Sequence, residues 1–113
     1  MALQKKIVLK NGVTTNYHRI VSLNFVTNWS TTIEVRSYVS KEGRDIEQQY
    51  EAVQKKVLKG ETLTQAEQRI FDEGAHCFMH SEYFETEYDE EMSVKNAYEY
   101  LKTVDKYKDA IDI

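Results

Sequence analysis

Hydrophobic and polar positions alternate along the first forty residues. In 4–10, Ile7 and Leu9 fall on one face and Lys6, Val8 and Lys10 on the other, the period of a strand. Asn11-Gly12 follows, a hairpin signal because both residues tolerate positive φ. The chain then runs from Val13 to Val26 without a breaker. Tyr17, Arg19, Val21, Leu23 and Phe25 share one parity, and His18, Ile20, Ser22, Asn24 and Val26 share the other. The alternation is imperfect and both faces carry apolar groups, which suits a strand covered on both sides along part of its length. Thr27-Asn28-Trp29-Ser30 reads as the next turn. Thr31 to Ser40 reads as a third strand, with Ile33, Val35 and Val39 opposite Glu34, Arg36 and Tyr38. Three strands joined by short turns predict an antiparallel meander.

The period changes after Gly43. Ile46, Tyr50, Val53 and Val57 form a helical stripe, so a helix is expected over 44–58 with Gly60 as its stop. Thr64 and Glu67 have the spacing of a capping box, opening a second helix over 65–73 that presents Leu63, Ala66 and Ile70 and ends at Gly74. Residues 75–88 return to strand chemistry, with His76, Phe78, His80, Glu82, Phe84 and Tyr88 on one parity and Cys77, Met79 and Tyr83 on the other. Ser93 is placed to cap a third helix over 94–104, built on Val94, Ala97, Tyr98 and Leu101. Ala110 to Ile113 is read as a short terminal strand or a frayed end. The expected fold is one α+β domain over 1–113. Its antiparallel sheet combines the meander with the later strand and is covered by two to three helices.

Composition changes this picture in three ways. The 113 residues contain no proline and only four glycines, where average usage would give roughly five or six prolines. That excludes proline-rich linkers and favours long uninterrupted elements. Net charge is −4, which disfavours a protein that grips phosphates through a basic face. The single cysteine, Cys77, cannot close an internal disulfide, so the fold does not depend on oxidation and the cytoplasm is the simplest compartment. The N-terminal segment lacks the apolar run of a secretion signal. No apolar stretch approaches the roughly 20 residues of a membrane span.

Candidate chemistry is sparse. His76, Cys77 and His80 form the most metal-like cluster. Histidines at i and i+4 of a strand, however, stand about 13 Å apart, too far to share one zinc ion; a hydrolase using His18, His76 and His80 is the third-ranked option. Glu82, Glu85, Glu87, Asp89, Glu90 and Glu91 crowd six acids into ten residues. They are read as a solvated strand edge that also discourages edge pairing. The glycines are too dispersed for a nucleophile elbow or a phosphate-cradling loop. Eight tyrosines and one tryptophan supply large side chains with a hydrogen-bonding tip, favoured at interfaces. The residues selected as partner contacts are Trp29, Tyr17, Arg19, Tyr38 and Tyr83.

The opening Leu3-Gln4-Lys5-Lys6-Ile7-Val8-Leu9-Lys10-Asn11-Gly12-Val13-Thr14-Thr15-Asn16-Tyr17-His18-Arg19-Ile20 and the ending Asn96-Ala97-Tyr98-Glu99-Tyr100-Leu101-Lys102-Thr103, with Ala110-Ile111-Asp112-Ile113, resemble small tail and baseplate-region structural proteins of tailed phages and prophages of Gram-positive bacteria. The similarity covers residues 1–41 and 75–113. Relative to it, 42–74 stands as a helical insertion or extension. The resemblance implies a non-enzymatic virion component with no catalytic, cofactor or metal residues. It would contact other tail or baseplate proteins and its own copies, bind neither nucleic acid nor membrane, and pass from the host cytoplasm to the virion tail. The alternative is a small acidic phage inhibitor of a host nucleic-acid-binding protein, its 82–91 edge mimicking phosphates.

Overall fold

A computed structural model describes residues 1–74 and 78–113. Five strands, β1 (Leu3–Val8), β2 (Thr14–Val26), β3 (Ser30–Tyr38), β4 (Phe78–Glu87) and β5 (Ile111–Asp112), form one antiparallel sheet in the order β4-β3-β2-β1-β5. Helices α1 (Lys41–Leu58) and α2 (Gln65–Glu73) lie between β3 and β4, and α3 (Val94–Leu101) follows β4. The chain is α+β, with the expected meander and later strand. The terminal segment is a strand: Ile111 and Asp112 pair with Gln4 and Leu3. The part of the expected 75–88 strand over 75–77 lies outside the described residues.

The turns and caps follow local chemistry. Gly12 takes φ 87° in the first turn, where Asn11 Oδ1 accepts from Val13 N at 3.0 Å. Asn28 takes φ 60° in the second, closed by Trp29 N to Val26 O at 2.9 Å; asparagine visits this region more readily than most residues. At α2, Thr64 Oγ1 accepts from Glu67 N while Thr64 N donates back to the Glu67 carboxylate. At α3, Ser93 Oγ accepts from Asn96 N.

One face of the sheet carries the main core. Leu3, Ile20, Ile33 and Val35 pack against Ala97, Tyr98, Leu101 and Tyr107, with Leu23, Phe84 and Tyr100 at the margin. Two of the three register shifts among the described residues, those in β2 and β4, bear on which side chains reach it. Ile20 pairs with Val35 but Ser22 pairs with Glu34, so Val21 is an extra residue in β2. The bulge explains the imperfect alternation: His18 and Ile20 point inward before it, Leu23 after it. In β4, His80 pairs with Ser37 and Phe78 with Tyr38, leaving Met79 extra. Phe78 therefore leaves the face of His80 and Phe84 and lies under the Arg36 guanidinium, 4.5 Å from its ring centroid. This corrects the parity expected for Phe78, which was to share the face of His80, Glu82 and Phe84.

Three further expectations change. Val39 lies beyond the end of β3 and is exposed. In α1, Val53 is buried and Tyr50 stacks on Phe71 of α2 at 6.4 Å, but Ile46 and Val57 of the same stripe are exposed. The side of α1 that meets the sheet is a different one, carrying Arg44 and Glu47. Helix α2 buries no residue completely and rides on α1, tied by the Lys56–Glu67 ion pair.

Ile20 lies two residues beyond Leu3–His18, the last pair of the β1–β2 ladder, and Tyr98 takes its N–H. Ile20 N donates to Tyr98 Oη at 2.9 Å, and that hydroxyl donates to the Met1 carbonyl at 2.9 Å. Tyr107, equally buried, has a hydroxyl that approaches Ser37 without forming a hydrogen bond. The two tyrosines should therefore respond oppositely to the same change. Tyr98→Phe strands a buried N–H and should cost about 2 kcal/mol. Tyr107→Phe removes an unpaired hydroxyl and should be neutral or stabilising. Urea unfolding followed by circular dichroism measures both.

Candidate functional site

The expected contact residues divide into two groups. Tyr17, Arg19 and Tyr38 come together on the sheet face beneath α1. Tyr17 and Tyr38 are direct cross-strand partners, and their rings meet edge-on at 5.6 Å. Tyr38 is wholly buried and donates its hydroxyl to Glu47 Oε1 at 2.6 Å. The same oxygen accepts from Arg44 at 2.7 Å and lies 3.8 Å from Arg19, while Arg44 also reaches Glu51 at 3.0 Å. Burial, followed by the Glu47 carboxylate, holds the Tyr38 phenol far above its ordinary range, so it stays a donor. The arrangement clamps α1 to the sheet through one carboxylate, and Tyr38 presents no surface outside the clamp. Glu47 and Arg44 were not among the residues singled out from the sequence. Their signal lies on a side of α1 away from the apolar stripe, where a helix period alone predicts solvent.

Trp29 and Tyr83 form the second group. Trp29 is 76% exposed at the β2–β3 turn, flanked by exposed Phe25 and Val26. Tyr83 is 67% exposed on the outward side of β4. A cleft of about 560 Å³, lined by Trp29, Glu85, Thr86, Glu87 and Tyr100, runs beside the C-terminal end of β4. The acids nearby divide as well. Glu82 is held by Lys106 and stands 3.6 Å from His80. Glu85, Glu87, Glu90 and Glu91 are exposed and have no ion pair among the described residues.

The histidines are separated. His18 is buried on the core face, with Nδ1 2.8 Å from Ser37 Oγ and Nε2 2.7 Å from the Lys5 carbonyl. A carbonyl only accepts, so Nε2 carries the hydrogen and Ser37 donates to Nδ1. This serine–histidine pair has the composition of a nucleophile and its base. Ser37 is 2% exposed, however, and both ring nitrogens are occupied, so the pair ties β1, β2 and β3 together. His18 has no lone pair left for a metal. Half-exposed His80 faces Glu82 in a second cleft, of about 590 Å³, with Ile7, Lys10, Asn11, Met79 and Lys106 among its walls. Among the described residues, no group of three His, Cys, Asp or Glu could hold a metal ion, and no helix is long and apolar enough to cross a membrane. His76 and Cys77 lie outside the described residues.

Comparison with known proteins finds no matching family model, no similar curated protein and no similar solved structure.

Two outcomes follow from the buried polar groups. Glu47→Ala leaves Arg44 with Glu51 alone and Tyr38 with no acceptor, and should cost about 2–3 kcal/mol. Amide hydrogen exchange of α1 should accelerate ahead of the core strands. His18 generates a pH dependence. Desolvation by burial lowers its pKa below 6.5, opposed by the Lys5 carbonyl and reinforced by the Lys106 and Lys5 charges. The unfolded chain therefore binds the proton first. The stability is fully present above about pH 6.5 and falls as pH drops toward the folded-state value, by at most about 1.4 kcal/mol per pH unit for one proton. Subtracting the profile of His18→Gln between pH 7 and 5 isolates this slope.

Proposed function

We propose that this chain is a non-enzymatic structural component of a phage tail or baseplate, acting through contacts with other virion proteins and with its own copies. One observation carries the reading. Large apolar side chains, Phe25, Val26 and Trp29 at one turn and Met79 and Tyr83 on the edge strand β4, are exposed on a domain that has a packed core. Exposed aromatic and thioether side chains at a turn and on an edge strand are the kind that partner surfaces favour. The resemblance of 1–41 and 75–113 to tail-region proteins supplies the class of partner. On this reading the protein is made in the host cytoplasm and carried into the tail.

A second reading draws on the four exposed acids without an ion pair. Glu85, Glu87, Glu90 and Glu91 extend from the end of β4 into the following turn, an uncompensated negative strip able to compete for a basic groove. On that reading the protein inhibits a host nucleic-acid-binding protein and never enters a particle.

Mass spectrometry of purified particles from a phage or induced prophage carrying the gene separates the two. A copy number proportionate to the tail proteins is expected, unchanged when Glu85, Glu87, Glu90 and Glu91 are reversed to lysine. Absence from particles, together with a host complex lost on charge reversal, would replace the structural reading with the inhibitor.

A further inference from the structure

We infer that two copies pair through β4, antiparallel about a two-fold axis at Tyr83, to join their two sheets into one; this rests on the assembly reading above and specifies its self-contact. The sheet order ends at β4, so the outer side of this ten-residue strand carries main-chain donors and acceptors with no ladder partner among the described residues.

Geometry restricts how a second copy can fill it. Antiparallel edge pairing by a two-fold operator requires an axis normal to the sheet, and directly opposed residues then share a face. In β4, His80, Glu82, Phe84 and Thr86 turn toward the core side and Ser81, Tyr83, Glu85 and Glu87 turn outward. Only registers that oppose like with like are therefore allowed. Centring on Glu82 sets two carboxylates face to face, and like charges directly opposed are destabilising. Centring on Phe84 shortens the ladder and brings Glu85 diagonal to its own copy. Centring on Tyr83 opposes Glu82 to Phe84, Ser81 to Glu85, and His80 to Thr86. Each acid then meets an uncharged residue. The one close like pair, Glu82 diagonal to its copy, is already neutralised by Lys106.

Two independent features agree with this centre. The nine residues of β4 from the bulged Met79 to the strand end at Glu87 are centred on Tyr83, with Met79 and Glu87 as the outer pair. That pair brings the exposed Met79 of the second copy to Glu87, beside the cleft lined by Trp29 and Tyr100. An unbranched thioether fits between aromatic walls. The exposed methionine at one end of the edge is thus matched to the aromatic cleft at the other, and two-fold symmetry makes the contact twice.

Light scattering on a size-exclusion column should give twice the mass of the chain, and Tyr83→Lys, which sets two ammonium groups on the axis, should weaken the dimer more than tenfold while preserving the circular dichroism. Trp29 is the only tryptophan, so its emission should shift to the red in that variant. In a Cys77→Ser background, Tyr83→Cys should cross-link quantitatively under mild oxidation, because opposed Cα atoms about 4.5–5.5 Å apart satisfy disulfide geometry. Asn24→Cys, at an exposed position of β2, should not. A monomer at all concentrations, or a dimer in which Tyr83→Cys cross-links no faster than Asn24→Cys, would overturn β4 pairing. If the same chain is found in particles, the structural reading survives that result; if it is absent from particles, both fall.

Discussion

The β2 bulge at Val21 and the Tyr98 hydroxyl bonded beside it, at Ile20 N, are the constraint on which the domain depends. A thirteen-residue strand with strict alternation would send His18, Ile20, Ser22 and Asn24 to one face. The core would then receive two polar side chains and lose Leu23. One inserted residue moves Leu23 inward and Ser22 outward. Beside the bulge, the Ile20 N–H lies past the end of the β1 ladder, and a buried orphan of that kind costs as much as a lost hydrogen bond. Tyr98 accepts it and passes its own hydrogen to Met1. One hydroxyl thereby fixes α3 to the central strand and the N-terminal segment to both. Ala2 then pairs through its main chain with Ile113.

Each face of this sheet buries polar groups, and they perform different tasks. On the core face, His18 joins a carbonyl of β1 to a hydroxyl of β3, which locks three strands in register where apolar contact alone would let them slip. On the other face, Glu47 gathers Tyr38, Arg44 and Arg19. A helix held by one carboxylate needs no apolar stripe against the sheet. That frees the stripe of α1 for α2, and only its middle is used: Tyr50 and Val53 are covered while Ile46, Val57 and Leu58 remain exposed. The helical pair is therefore a unit clamped to the sheet by charge, unlike α3, which is packed into it.

Much of the fold was legible because its signals are local. Asn11-Gly12, the Thr64/Glu67 box, Ser93 and the breaks at Gly60 and Gly74 each depend on a few neighbouring residues. The meander followed from them. What the sequence did not show was every feature set by pairing at a distance. Val21 and Met79 are ordinary strand residues, and nothing in their neighbourhood marks either as the extra one. Phe78 changes face because Tyr38, far earlier in the chain, is its partner. Helical periodicity identified the α1 stripe, but it cannot tell which of two sides meets the sheet when one is apolar and the other carries a paired arginine and glutamate. Tyrosines chosen for their interface chemistry divided for the same reason: Tyr38 lies under the clamp and Tyr83 lies outside it.

The absence of proline acquires its meaning at the edges of the sheet. Edge strands are commonly blunted by proline, by charge, by bulges or by brevity. At one edge β5 is two residues long and covers only Leu3 and Gln4 of β1, whose remaining four residues carry Lys5, Lys6 and a bulge. The other edge, β4, is ten residues long and relies on acids and one bulge. Those devices are unevenly placed. Glu82 is neutralised from within by Lys106, the bulge lies at the N-terminal end, and the exposed acids Glu85 and Glu87 lie at the other. The middle of the strand, around Tyr83, is protected by neither. An edge guarded at its two ends and open at its centre excludes partners that pair off-centre, because their own charges or the bulge would interrupt the ladder. It admits a strand whose charges fall in the complementary places. In the pairing proposed above, the same residues that discourage indiscriminate pairing would select the register, so that charge would serve as both barrier and address.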